Sequence, residues 1–165
     1  MASSMITPDQ DSVVTEIEIG APPERVFQAL ISREQALQWG GNQLFELTAW
    51  EMEARPGGKW RFISKERRPS GAYSVSEFVH HGEVVEIDPP HLLVYTWFAN
   101  WHEPPSRKTV VRWELTPTPT GTRVKVTHSG LAALPGAAKG YNEGWPGLLH
   151  SIKRYLESGR EPANV

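Results

Sequence analysis

No cysteine occurs in the 165 residues. That excludes disulfides, thiolate-bound metals and cysteine nucleophiles together, and it fits a reducing compartment, the cytoplasm. No apolar run reaches the roughly 18 residues that a bilayer-spanning helix needs. The opening MASSMITPDQDS has no basic segment followed by an apolar stretch, so no secretory signal is expected. Blocks of Lys and Arg are also missing, and the net charge is only −2. A nucleic-acid partner is therefore not expected. The densest basic cluster, Lys65, Arg67 and Arg68, falls in a turn and reads as a solvated hairpin tip. Metal motifs are absent as well: there is no HExxH and no HxH. His80 and His81 are neighbours, and on a strand they point to opposite faces, where they cannot share an ion. No metal and no cofactor are expected.

What the chain does have is tryptophan, seven in all. Large rings bury much surface, and a chain of this length buries about 70% of its unfolded surface as a single domain. Residues 13–19 alternate, with Thr15, Ile17 and Ile19 opposite Val14, Glu16 and Glu18, which predicts a half-buried strand. Pro22, Pro23 and Glu24 open a helix that buries Val26, Phe27, Leu30 and Ile31. Ser32 is placed to cap a second short helix over 33–38. Strands are predicted over 45–54, 59–65, 73–87, 92–98 and 109–116, with a bulge or bend at Gly82. Val111, Trp113 and Leu115 face inward from one of them, and Val124, Val126 and His128 share a face of the last strand. A Gly/Pro-rich elbow follows, then a long helix whose stripe is Tyr141, Trp145, Leu148, Leu149, Ile152, Tyr155 and Leu156. Glu143 is expected near the helix start, where a carboxylate favours the dipole.

Short turns between consecutive strands imply an antiparallel meander. With helices grouped at the two ends of the chain, the class is α+β, with the helices on one face of the sheet. One domain over 13–157 is expected, carrying a curved sheet of six or seven strands, between a flexible tail over 1–12 and a second tail over 158–165.

Four segments carry a resemblance. Ala21-Pro22-Pro23-Glu24-Arg25-Val26-Phe27 resembles the opening "P.e.Vw.al" of the START-like, Bet v 1-like (SRPBCC) superfamily. Pro56-Gly57-Gly58-Lys59-Trp60-Arg61 resembles its "GG.w.f" hairpin. The segment from Gly82 to Trp97 resembles its "G.v.ei.pp..l.ytw" core. Thr127-His128-Ser129-Gly130-Leu131, followed by Gly140-Tyr141 and Gly144-Trp145, is similar to the branch named for homologues of the activator of the Hsp90 ATPase. The four occur in the family's order. The resemblance implies a helix-grip fold with a cavity between sheet and C-terminal helix. It also implies functions of the superfamily's kind: binding of lipids, sterols, hormones or polyketides, and in some members cyclisation or hydrolysis. The namesake co-chaperone carries a further N-terminal domain with its own chaperone-contacting motif. Only about a dozen residues precede the first predicted strand here, so direct activation of an Hsp90-type chaperone is not expected.

The site expected from this reading is an aromatic-lined pocket under the last helix, formed by Trp60, Phe62, Tyr95, Trp97, Trp113, Tyr141 and Trp145. His128 and Asn142 would supply polar groups. A small hydrophobic ligand without catalysis is the leading function, and a filled core is its bland counterpart. His128 is the one candidate catalytic group, a base acting with Tyr95 or Asn142 in a cyclase, dehydratase or hydrolase. A packing histidine is the plainer account of it. Trp101 and His102, in a loop with Pro104 and Pro105, either gate the pocket mouth or fold back on the sheet rim. A triad of Ser129, His128 and Asp88 fails because neighbouring strand residues face apart. A protein-interaction module, chaperone-linked, is the remaining alternative, marked by an exposed Trp101. A homodimer is compatible with either binding role.

Overall fold

Alternation along the strands builds the sheet that holds the site. The computed structural model describes residues 2–41, 44–73 and 75–158. In chain order the elements are β1 (Ser3–Ile6), β2 (Ser12–Ile19), α1 (Pro23–Ile31), α2 (Arg33–Trp39), β3 (Phe45–Met52), β4 (Lys59–Glu66), β5 (Phe78–Asp88), β6 (Leu92–Ala99), β7 (Thr109–Thr118), β8 (Gly121–Ser129) and α3 (Pro135–Glu157). The strands form one antiparallel sheet in the order β1-β2-β8-β7-β6-β5-β4-β3. The inward residues are those the alternation predicts: Val13, Thr15, Ile17 and Ile19 on β2, Val111, Trp113 and Leu115 on β7, and Val124, Val126 and His128 on β8 are all buried. Register places Val13 beside His128 and Ile17 beside Val124, so one face of the sheet is buried and mainly apolar, with Thr15 and His128 among its polar exceptions.

Helix α3 covers that face, lying against β1 and β2 and touching α2. Its buried residues are Ala138, Trp145, Leu149, Ile152 and Leu156, and Tyr141, Leu148 and Tyr155 pack at the margin of the core. The C-terminal end of α3 is fastened to β2, because Glu157 Oε2 accepts from Gly20 N–H at 2.7 Å and Lys153 Nζ donates to Glu18 O at 2.7 Å. Near that same end, Gln35 Oε1 accepts from Tyr155 OH at 3.2 Å, and Ser32 joins α1 to α2, its Oγ accepting from Gln35 N–H at 3.3 Å. That is the cap the sequence predicts.

Several expectations differ from the structure, and the sheet has eight strands where six or seven are expected. The segment expected as a flexible tail holds β1, which pairs with β2 from Ser3↔Glu16 to Ile6↔Val13. Strand pairing is satisfied by backbone groups, so four residues with little alternation suffice at an edge. The same segment carries Asp11, whose carboxylate accepts from Gly130 N–H and Ala132 N–H, both at 3.2 Å, and so fixes the turn from β8 into α3. The strand expected over 73–87 starts only at Phe78. Gly82 lies in regular pairing, and the register shift comes later, between Val84 and Glu86. Glycine is required at 82 for another reason, since a Cβ there would lie 2.0 Å from Thr96 O. Finally, the Gly/Pro-rich elbow is already helix: α3 begins at Pro135, Pro146 sits inside it, and Glu143 is an interior residue rather than a first-turn one. Packing against the sheet outweighs the low intrinsic propensity of its glycines. Of the expected C-terminal tail, Ser158 is the residue after α3, and 159–165 lie outside the described residues.

Candidate functional site

The inward-facing rings meet beneath the middle of α3. Trp97 is the hub, its ring centroid 5.1 Å from Trp60, 5.5 Å from Phe62 and 5.8 Å from Trp145. Trp113 meets Trp145 edge-on at 5.6 Å. Indole N–H groups need acceptors when buried, and most here have one. Trp113 donates to Tyr95 OH at 2.8 Å and Trp60 to Thr96 O at 2.7 Å. Desolvation raises the Tyr95 hydroxyl well above its ordinary pKa. The void left among these rings, lined by Phe62, Tyr95, Trp97, Trp113, Trp145 and Leu148 among others, measures about 40 Å³. Small-molecule sites run to roughly 300–1,000 Å³, so the space directly under the helix is a packed core.

His128 belongs to that core, with no exposed surface. Trp145 Nε1 donates to its Nδ1 at 3.3 Å, and its Nε2 lies 2.8 Å from Thr109 Oγ1, which itself donates to Trp97 O at 2.9 Å. The hydroxyl proton is thus spent on the carbonyl, and the hydrogen-bond pattern assigns the ring proton to Nε2. Burial first, then His102 and His80, pushes the His128 pKa well below its ordinary value. The imidazole is neutral, with both nitrogens engaged and no lone pair free for a base.

Open space lies at the mouth, under the N-terminal half of α3. A groove of about 470 Å³ is lined by Phe45, Ser64, Tyr73, Val75, Phe78, His80, Trp101, Gly140, Tyr141 and Gly144. One wall is an aromatic trio in which Phe78 lies 5.6 Å from Phe45 and 5.1 Å from Tyr73. The opposite wall is the helix, where Gly140 and Gly144, one turn apart, have nothing within 4 Å of where a Cβ would stand. His80 projects from β5 and receives the Trp101 N–H on Nε2 at 3.0 Å. Tyr141 OH accepts from Trp97 Nε1 at 2.9 Å and pairs with His102 Nε2 at 2.7 Å. Its pKa is raised by burial, and that of His102 is lowered by burial.

Depressions of similar size occur on the other face of the sheet, but their lining differs. One of about 550 Å³ is bordered by Glu51, Glu53, Lys59 and Arg61, and Lys59 pairs there with Glu83 and Arg61 with Glu51. Charges already neutralised and solvated leave little for a ligand to gain. Among the described residues no group of three or more His, Asp or Glu is arranged to hold a metal ion.

Of the residues expected at the site, Tyr141 and Trp101 line the groove. His102 is buried behind Tyr141, so the loop carrying Trp101 and His102 folds back on the sheet rim. Phe62, Tyr95, Trp97, Trp113 and Trp145 line the inner void instead, with Trp60 packed against them. Asn142 faces the first strand, its Oδ1 accepting from Ser4 Oγ at 2.7 Å. The expected list omits the trio Phe45, Tyr73 and Phe78, the small residues Ser64, Gly140 and Gly144, and Val75 and His80. Signals exist in the sequence for three of them: His80 alternates inward with Phe78, and Gly140 and Gly144 repeat at a spacing of four on a helix.

Residues 20–157 match the family described as Activator of Hsp90 ATPase homolog 1-like protein. No curated protein matches the chain. Solved structures do, over nearly their whole length. A protein from Rhodobacter sphaeroides is 17% identical with a TM-score of 0.79, covering 96% of this chain and 99% of its own. A protein from Mesorhizobium loti is 25% identical with a TM-score of 0.69, covering 91% and 99%. An AHSA1-like protein from Aeromonas hydrophila, solved in solution, is 19% identical with a TM-score of 0.70, covering 89% and 92%. All share the antiparallel sheet packed on a long C-terminal helix. The chain belongs to the activator of Hsp90 ATPase homolog 1-like family.

Proposed function

We propose that this protein binds a small apolar or aromatic molecule in the groove between α3 and the β3–β5 edge of the sheet. The observation that carries the reading is the contrast in free volume: about 470 Å³ in the groove against about 40 Å³ under the helix. The groove lies within the range of small-molecule sites and is walled mainly by aromatic rings. Binding rather than turnover is favoured because the sequence-derived base, His128, lies outside the groove with both nitrogens engaged. Tyr95 and Asn142 also lie outside it, committed to Trp113 and Ser4. A chaperone-docking role would call for an exposed Trp101; that ring is half-buried and hydrogen-bonded to His80.

The test is a titration with ethylnaphthalene, followed by tryptophan emission. Saturable quenching at one molecule per chain is expected, and Trp101→Phe should remove much of the signal change because Trp101 lines the groove. Absence of saturable binding would overturn the reading.

A further inference from the structure

Two tyrosines pack among the core tryptophans, and they differ in where their hydroxyl protons can go. Each hydroxyl accepts an indole N–H, Tyr95 from Trp113 at 2.8 Å and Tyr141 from Trp97 at 2.9 Å. The Tyr95 proton meets no acceptor among the described residues, although the residue is buried. Tyr141 OH stands 2.7 Å from His102 Nε2. An indole nitrogen only donates. A His102 Nε2–H aimed at the same oxygen would therefore leave the Tyr141 proton with nothing to bond. The pattern that engages both groups has Tyr141 O–H donating to the His102 lone pair. Burial lowers the His102 pKa, while the Arg107 backbone acts the other way. Burial raises that of Tyr141. In the resting protein the proton stays on the phenol, and the pair is neutral.

The rings around this pair form a continuous path. The Trp97 centroid lies 6.0 Å from Tyr141, 5.1 Å from Trp60 and 5.8 Å from Trp145. Trp113 joins through Trp145 at 5.6 Å. Trp101, half-buried at the rim, is 5.3 Å from Tyr141 on its other side. Five of the seven tryptophans thus reach Tyr141 through ring contacts. Electron transfer weakens steeply with the gap between rings and is fast where rings touch. An indole that loses one electron can therefore be refilled by its neighbour. Proton loss decides where the vacancy rests, because an oxidised phenol is a strong acid and a buried charge without a partner is costly. Tyr141 can hand its proton to His102; Tyr95 has no base to receive one.

We propose that the tryptophan cluster conducts oxidising equivalents and that Tyr141, coupled to His102, is where they come to rest, the oxidant being a small radical that takes one electron from an indole. The radical is reduced to its anion, and the indole, Trp101 or Trp97, becomes a radical cation. Tyr141 returns one electron to that indole. As it does so its O–H bond breaks and an N–H bond forms on His102 Nε2. The products are an intact indole, a neutral Tyr141 phenoxyl radical and a His102 imidazolium. Charge balances, since one positive charge passes from indole to imidazole, and the Arg107 backbone favours the charged ring. The vacancy thereby leaves the indoles that make up the core. This role is independent of ligand binding in the groove.

The experiment is pulse radiolysis of the unmodified protein with the azide radical, which oxidises indole in preference to un-ionised phenol. The indolyl absorption should decay into phenoxyl absorption at a first-order rate that is independent of protein concentration. The conversion should be slower in D₂O, because a proton moves with the electron. Tyr141→Phe should abolish this phase and leave a long-lived indolyl radical, whereas Tyr95→Phe should leave the phase in place. His102→Gln keeps a hydrogen-bonding partner but no base, and should slow it about a hundredfold, the low end of what a positioned base contributes. The Trp101 and Trp145 N–H groups also face imidazoles. An indolyl radical that stays on either ring and never converts would overturn the proposal. First-order phenoxyl formation surviving in Tyr141→Phe would overturn the choice of tyrosine, and His102→Gln reacting at the parental rate would overturn the proton acceptor. Should these variants fail to fold, the unmodified protein decides alone. A conversion that depends on concentration, or one equally fast in D₂O, would overturn the coupled step.

Discussion

The two halves of α3 do opposite things with the same sheet. The C-terminal half sends Trp145, Leu149, Ile152 and Leu156 into the interior and closes it, leaving about 40 Å³. The N-terminal half sends Tyr141 inward but sets Gly140 and Gly144 against the sheet margin, leaving about 470 Å³. Hydrogen bonding does not divide along that line. Trp60, Trp113 and Trp145 under the helix each donate to a protein acceptor. Among the described residues, Trp50 Nε1 beside the inner void and His80 Nδ1 beside the groove both lack a protein partner. A helix gripped by a sheet thus yields either core or pocket, and the side-chain volume presented at each turn decides which.

The largest effect should come from breaking the sealed half. Trp97 touches Trp60, Phe62, His80, Tyr141 and Trp145, and Trp97→Ala should cost about 3–5 kcal/mol. Chemical denaturation would register this as a large fall in midpoint. A loss under 1 kcal/mol would show that the ring cluster is not the core described here.

Acid should act next, and through both halves. His80 has a folded pKa of about 3, and burial lowers those of His128 and His102 too. The unfolded chain takes up protons on these rings near pH 6.5, where the native state does not. Stability is therefore full above about pH 6.5 and falls as pH drops toward 3, by up to about 1.4 kcal/mol per pH unit for each fully buried histidine. His80→Phe should flatten the profile between those limits. An unchanged slope in thermal melts across this range would contradict the neutral, buried state of the ring.

Asp11→Ala removes the acceptor of the Gly130 and Ala132 N–H groups and should cost about 1–2 kcal/mol, read by denaturant titration. It tests whether the turn that launches the open half of α3 is held from the first hairpin.

The sealed half was legible in the sequence because each of its parts has a period. Val111, Trp113 and Leu115 alternate, the α3 stripe recurs at three and four, and Ser32 stands where a cap belongs. The open half was not, because a groove is made by what is missing. Gly140 and Gly144 enter no hydrophobic stripe, and the elbow they sit in reads as a helix breaker until packing is known. Tyr73 and Val75 come from a connection with no alternation, and a sequence reading extends β5 through them. The expected aromatic pocket named the right rings for the core, but pattern gives the facing of a ring and not the volume left between rings. His80 was readable as inward-facing. That its Nε2 receives the Trp101 N–H was not, because Trp101 folds back on it from a distant loop.

The smallest change in stability accompanies the sharpest test. Gly144→Leu should fill the groove, since nothing stands within 4 Å of the position of the new Cβ. It also replaces glycine in a helix, a gain of up to about 1 kcal/mol. Titration of this variant with ethylnaphthalene, alongside its thermal melt, measures the central claim most directly. The account predicts a protein at least as stable as the parent that has lost probe binding by tenfold or more. A variant that folds equally well and binds the probe unchanged would contradict it.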